Sequence, residues 1–247
     1  MSTWPHLDRA PITEALIDLQ VELAPEVNLG VLEAVQAPIR ERYPRRQARE
    51  EWRGQIHFQR GEAPQIGEPV GGRNGFMFRS LDDLQVVQAR LDGFTFSRLK
   101  EYQDWQHLRN EARGLWDVYR NVARPVAVTR VAVRYINRIP LPLPIEDLGA
   151  WLNTRLEMPG GLPPTQGFFL RLVIPFTDAN ARAIVMQTIE PGSHEETLPI
   201  IFDIDVFRQQ RLAVDSPDVW RSLEDLREIK NEIFFRSLQP ETIALFR

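Results

Sequence analysis

The sequence has no cysteine, which removes disulfides, iron–sulfur clusters, thiolate zinc sites and cysteine nucleophiles from the chemistry open to it. Lysine is almost missing as well: Lys100 and Lys230 are the only two, and every other basic side chain is arginine. That bias reads either as GC-rich coding or as arginine placed for bidentate pairing with carboxylates, which lysine cannot provide. Long apolar runs are also lacking. The longest, such as Leu198–Ile204, are broken by Pro199 and Asp203, far short of the roughly 20 apolar residues of a membrane helix. The segment Met1-Ser2-Thr3-Trp4-Pro5-His6 has neither the basic stretch nor the hydrophobic run of a secretory signal. These absences lead to the expectation of a cytoplasmic protein without a membrane association.

The 247 residues suit one large domain or two intimately packed halves, with an ordinary globular composition. A formal net charge of −4 argues against a general nucleic-acid binder, whose affinity comes chiefly from neutralising phosphates.

What is present reads as one structural pattern run twice, over 11–122 and again over 126–246. Glu14–Leu23 alternates, with Ala15, Ile17, Leu19, Val21 and Leu23 on one face and Glu14, Leu16, Asp18, Gln20 and Glu22 on the other, as a strand with one core face does. Asn28 can cap a helix carrying Leu29, Leu32, Val35 and Ile39. Strands are expected at about 52–60 and 75–80, separated by a Gly/Pro-rich loop over 61–75. Leu84–Leu91 and Phe94–Leu99 flank Asp92-Gly93, a hairpin turn signal. A long amphipathic helix then spans about Tyr102–Val122. The second half opens with the strand Val126–Ile139, followed by a helix over Ile145–Leu156 and strands at Phe168–Phe176, Ala183–Glu190 and Ile200–Phe207. A closing helix starts near Asp218, with Ser216 or Asp218 as its cap and Val219, Leu223, Leu226, Ile229 and Ile233 as its stripe.

Together these elements predict an α+β fold of two tandem β-α-β(3–4)-α halves, 1–124 and 125–247, packed as one unit. In each half an antiparallel sheet is covered by a long helix, in a pseudo-twofold arrangement like that of the TATA-binding protein or a helix-grip fold. Fold analogy of this kind does not fix function.

Chemistry is harder to find. His6, His57, His107 and His194 are scattered, with no metal-ligand spacing. Gly71-Gly72-Arg73-Asn74-Gly75 lacks the lysine and following helix of a P-loop, and no serine sits in a nucleophile elbow. Asp203 and Asp205 share a strand face, either as a carboxylate pair or as plain polar surface. The segment Arg40–Arg60 carries seven arginines and reads as a basic patch or as a solvated helix end and loop. The best constellation is Arg130, Arg134 and Arg138, spaced about 13 Å apart along one strand face. Glu14, Asp18 and Glu22 have the same spacing on the equivalent strand, so the two sets are candidates for a cross-strand charge ladder or a ligand-facing floor.

Three segments carry a resemblance: Ala10-Pro11-Ile12-Thr13-Glu14-Ala15, Arg134-Tyr135-Ile136-Asn137-Arg138, and Lys230-Asn231 followed by Ile233-Phe234-Phe235. They resemble a sporadically distributed bacterial family of about 250 residues with no established function. The resemblance implies no catalytic residue, cofactor or metal. Its sporadic distribution implies mobile-element or defence loci and hence a cognate protein partner. The resulting expectation is a non-catalytic binding or regulatory protein acting on a protein partner. The alternatives are a small-anion or nucleotide module with a pocket lined by Phe94, Phe96, Arg130 and Arg134, an enzyme using scattered carboxylates, and nucleic-acid binding on the sheet.

Overall fold

The alternating segment near the N-terminus becomes a central strand. The computed structural model describes residues 4–53, 56–57, 65–66, 70–154, 167–192 and 196–247. In β1 (Ile12–Glu22), Ala15, Ile17, Leu19 and Val21 enter the core, and Glu14, Asp18 and Glu22 lie on the opposite face. Asn28 caps the short α1 (Leu29–Glu33), its side-chain oxygen accepting from the N–H groups of Gly30 and Val31 at 2.9 and 3.3 Å. The expected helix does not run unbroken to Ile39. Ala34–Ile39 is a 3-10 segment containing Pro38, which has no N–H for an α-helical bond.

The arginine-rich segment is neither helix end nor loop through most of its described length. It forms β2 (Arg45–Arg53), an edge strand, where a charged face is tolerated because one side meets solvent. Three of its arginines are paired locally: Arg45 with Asp83, Arg46 with Glu33 and Arg49 with Glu51. β3 (Ile56–His57) and β4 (Gln65–Ile66) pair with each other. β5 (Val70–Arg79) begins inside the stretch expected as loop, while 58–64 and 67–69 lie outside the described residues.

β6 (Gln85–Arg90) and β7 (Gly93–Leu99) form the anticipated hairpin, but its turn is Leu91-Asp92. Gly93 is already in the ladder, opposite both Arg90 and Gln20. A Cβ there would come within 2.4 Å of the Leu19 carbonyl oxygen, so close strand approach, not turn conformation, requires this glycine.

Next come α2 (Trp105–Ala123), capped by Asp104, and β8 (Ala127–Pro142). The helix expected over 145–156 appears only as a 3-10 turn, Leu148–Ala150, and residues 155–156 lie outside those described. β9 (Phe169–Phe176), β10 (Ala181–Ile189) and β11 (Thr197–Leu212) lead into α3 (Asp218–Ser237), where the Ser216 hydroxyl accepts from the Asp218 N–H at 3.2 Å. α4 (Pro240–Ala244) and the buried Phe246 close the chain against the core.

The sheet is single. Its nine strands run β2-β5-β6-β7-β1-β8-β11-β10-β9, every neighbouring pair antiparallel, so the two expected sheets are one sheet joined through β1 and β8. The join follows from register: Ile17 lies opposite both Phe96 and Val133, and Val133 opposite Val206, which aligns the buried rows of four strands. α2 packs on β7 and β1, α3 on β8 and β11, on the same face. Trp116 and Tyr119 lie against Phe94, and Phe234 stacks on Phe202. Glu224 ties the helices together, accepting from Trp105 Nε1 at 2.7 Å and lying 2.9 Å from Arg109 Nε. Among the described residues no helix covers the opposite face of the sheet, and no helix is long and apolar enough to cross a membrane.

Candidate functional site

Two regions bring charged side chains together: the open sheet face and a cleft at the edge of the helical layer.

On the open face, Arg130, Arg134 and Arg138 do share one side of β8, and each is paired. Arg130 donates to Asp18 Oδ1 at 3.0 Å and to Asp205 Oδ2 at 2.8 Å, with its guanidinium 4.4 Å from the centre of the Phe207 ring. Arg134 Nε donates to Asp203 Oδ1 at 2.8 Å, a bond that with its second fork raises the Arg134 pKa. Arg138 is held by Glu190, with Nη2 to Oε2 at 2.7 Å, which also raises its pKa. The bonds run diagonally: Arg134 stands opposite Asp205 but reaches Asp203, and Arg130 reaches Asp205.

The acids of β1 play a smaller part than their spacing suggested. Asp18 is buried and accepts from Arg130, from Arg90 Nη2 at 2.8 Å and from the Thr95 hydroxyl at 2.8 Å. Glu22 pairs with Arg211 at the end of the sheet, a bond that lowers its pKa. Glu14 lies opposite Ile136 and Leu99 and makes no ion pair among the described residues. Its side of the ladder is supplied instead by Asp203, Asp205 and Glu190 from the second half. Burial pushes the Asp205 carboxyl up, against the pull of Arg130 and Arg134.

Phe94 and Phe96 cannot line a pocket with Arg130 and Arg134, because they point from β7 into the helix face while the arginines occupy the open one. The outer part of the open face is less neutral and more apolar. Phe169 and Val173 on β9 are 68% and 53% exposed, with half-buried Ile184, Met186 and Ile201 beside them. Arg171 and Arg182, both exposed, have no carboxylate partner among the described residues.

The second region was not anticipated. The N-terminal arm (Trp4–Ile12), the start of α2 and one face of α3 enclose a cleft of about 280 Å3. Lys230 of α3 lines it with its side chain buried, Nζ 4.0 Å from the centre of the Tyr135 ring. Tyr135 is buried beneath, its hydroxyl 3.3 Å from that of Tyr102. Lys230 has no carboxylate or hydrogen-bond partner among the described residues. Burial, reinforced by the Arg227 guanidinium one turn earlier and opposed by Glu228, pushes its ammonium down to about 7. Burial likewise pushes the Tyr102 hydroxyl up to about 12.

Asn137 and Asn231, both buried, also line this cleft, as do Trp105, Phe234 and Phe235, the last stacked on Trp4 at 5.3 Å. The three segments that carry the sequence resemblance therefore meet here: Ala10–Ile12, Tyr135 with Asn137, and Lys230-Asn231 with Phe234-Phe235. Hydrogen bonds stitch the first two together, since the Arg138 N–H donates to the Pro11 carbonyl at 2.8 Å and the Thr13 hydroxyl to the Ile136 carbonyl at 3.0 Å. A sequence signal for Lys230 exists: it falls four residues after Leu226 and seven after Leu223, at core spacing in α3. Among the described residues there is no cluster of three or more His, Asp or Glu suited to a metal ion. Compared with known proteins, the chain matches no protein-family model, no curated protein and no solved structure.

Proposed function

We propose that this chain is a non-catalytic binding protein that docks a protein partner on the outer part of its open sheet face. The observation that carries the reading is that exposed apolar side chains, Phe169 and Val173, lie beside Arg171 and Arg182, which have no carboxylate partner among the described residues. Exposed apolar patches with aromatic and arginine side chains are typical of interface cores. The partner surface that complements them is apolar with acidic residues at its rim. The paired state of Arg130, Arg134 and Arg138 argues against a polyanion or small anion on the inner sheet face, because their charge is already spent on Asp18, Asp205, Asp203 and Glu190.

The same reading relates the two halves by a pseudo-twofold axis between β1 and β8, in the manner of the TATA-binding protein. Supporting it, the strand order outward from that pair is β7, β6, β5 on one side and β11, β10, β9 on the other. A cytoplasmic setting fits a protein partner.

Affinity capture from native cells tests the proposal when run with the unaltered protein beside Phe169→Asp and Arg182→Glu. Both positions are exposed, so the variants should fold normally. A protein retained by the unaltered chain and released by both variants, with retention falling as salt rises, is the expected result. Identical retention by all three, or recovery of nucleic acid alone, would overturn it.

A further inference from the structure

Lys230 is a lysine in a chain that uses arginine almost everywhere else, and it is placed where a charge is least welcome. Its side chain is buried, with Nζ 4.0 Å from the centre of the Tyr135 ring. The charged groups around it do not neutralise it. From α3, Arg227 adds like charge and is itself 3.1 Å from Glu228. From the start of α2, Asp104 is engaged as the helix cap, accepting from the His107 N–H at 2.8 Å with the His107 ring at 2.7 Å. From the N-terminal arm, Asp8 lies 3.9 Å from His6 in solvent. β8 contributes the Tyr135 ring and the Asn137 amide, neither of them charged, and Tyr102 turns its hydroxyl to Tyr135.

An ammonium on a buried side chain, with no carboxylate in contact among the described residues and only Glu228 opposing Arg227 at a distance, is costly, and an aromatic face offsets only part of that cost. An acid group brought in by a ligand would supply the missing partner. The cleft has the rest of a binding site: the Asn231 side chain next to the lysine in sequence, the Asn137 side chain, whose amide nitrogen is already held by the Phe202 carbonyl at 3.0 Å, and Trp105 and Phe234 as apolar wall. Apolar walls with convergent polar groups are what small-molecule sites share.

We propose that this cleft binds a small organic anion, its carboxylate or phosphate against Lys230 and Asn231 and its apolar body along Trp105 and Phe234. The site lies on the helical side of the sheet and stands independently of the partner-docking face.

Titrating the full-length protein with benzoate and with phenyl phosphate, against benzyl alcohol as the uncharged control, tests this. Tryptophan fluorescence reports occupancy, since Trp4 and Trp105 line the cleft. One or both acids should bind saturably, the stronger of the two identifying the preferred acid group, and benzyl alcohol should not. Lys230→Met keeps the length of the side chain and should weaken acid binding on the order of tenfold or more. Asn231→Asp leaves the lysine in place but gives it an internal carboxylate, and should weaken binding to a similar degree even if Lys230→Met folds poorly. Arg182→Glu, on the sheet face, should leave binding unchanged. Failure of both acids to saturate at concentrations on the order of millimolar, equal binding of benzyl alcohol, or acid binding unaffected by Asn231→Asp would each overturn the proposal.

Discussion

Asp18 on β1 accepts a hydrogen bond from Arg130 on β8 at 3.0 Å, across the seam where the two parts of the sheet join. The same carboxylate accepts from Arg90 and Thr95, so one buried acid holds β6, β7, β1 and β8 in register on the open face. Removing it takes one of two carboxylate partners from the buried Arg90 and from the half-buried Arg130, leaving them Asp92 and Asp205. We expect Asp18→Ala to cost about 1–3 kcal/mol, the range for buried donors that lose an acceptor. Arg138→Ala, whose partner Glu190 is half-exposed, should cost no more than about 1 kcal/mol. A double-mutant cycle between Asp18→Ala and Arg130→Ala, followed by chemical denaturation, should give a coupling of about 0.5–3 kcal/mol. Simple additivity, or equal losses at Arg138 and Asp18, would show that the ladder does not hold the seam.

The helical layer makes a separate prediction. Leu115 of α2 and Leu226 of α3 are buried in the continuous core, within 3% of full burial. Truncating either to alanine removes apolar contact and leaves a cavity, at an expected cost of about 2–5 kcal/mol. Because α2 sits on β7 and β1 while α3 sits on β8 and β11, the two losses should add. Denaturation midpoints of the single and double variants measure this. Losses below roughly 0.5 kcal/mol at both sites would be incompatible with the packing described.

Periodicity made the local elements legible. The alternation of β1, the run that became β8, and the stripes of α2 and α3 all follow from side-chain spacing along one segment. Partners across the sheet were less accessible, because spacing places Arg130, Arg134 and Arg138 on a face without saying which strand lies beside them. β8 has two neighbours, and the carboxylates nearest in space came mostly from β11 and the end of β10. Asp203 and Asp205 were visible as a same-face pair, but their guanidinium partners depended on topology. β2 was obscured for another reason: its charges suit an edge strand as well as they suit a loop. The cleft was hidden because it is assembled from residues near 4–12, 102–105, 135–137 and 227–235, which no local pattern joins.

Lys230 links that assembly to stability through pH. Its ammonium is pushed down to about 7 by burial, from an ordinary value of 10.5. Between those values the unfolded chain binds a proton at this position that the folded chain does not, so stability rises with pH across that window. Below about pH 7 both states carry the proton and the full burial cost remains; above the ordinary lysine value both have lost it and the cost is gone. The groups facing the ammonium are Arg227, Glu228, Tyr135 and Tyr102, with Asp104, Asp8 and His6 farther out in the cleft. Neither tyrosine titrates in the lower part of the window, because burial pushes Tyr102 up to about 12 and holds Tyr135 well above its ordinary value. Lys230→Met should therefore stabilise the protein at pH 6 and progressively less as pH rises. The difference between the two proteins should narrow by at most about 1.4 kcal/mol per pH unit between pH 7 and 10. Urea denaturation of both proteins at one-unit intervals measures that slope. A stability difference independent of pH would mean that the ammonium is compensated in the folded state, and a destabilising Lys230→Met would mean that its contact with Tyr135 outweighs the cost of burying the charge.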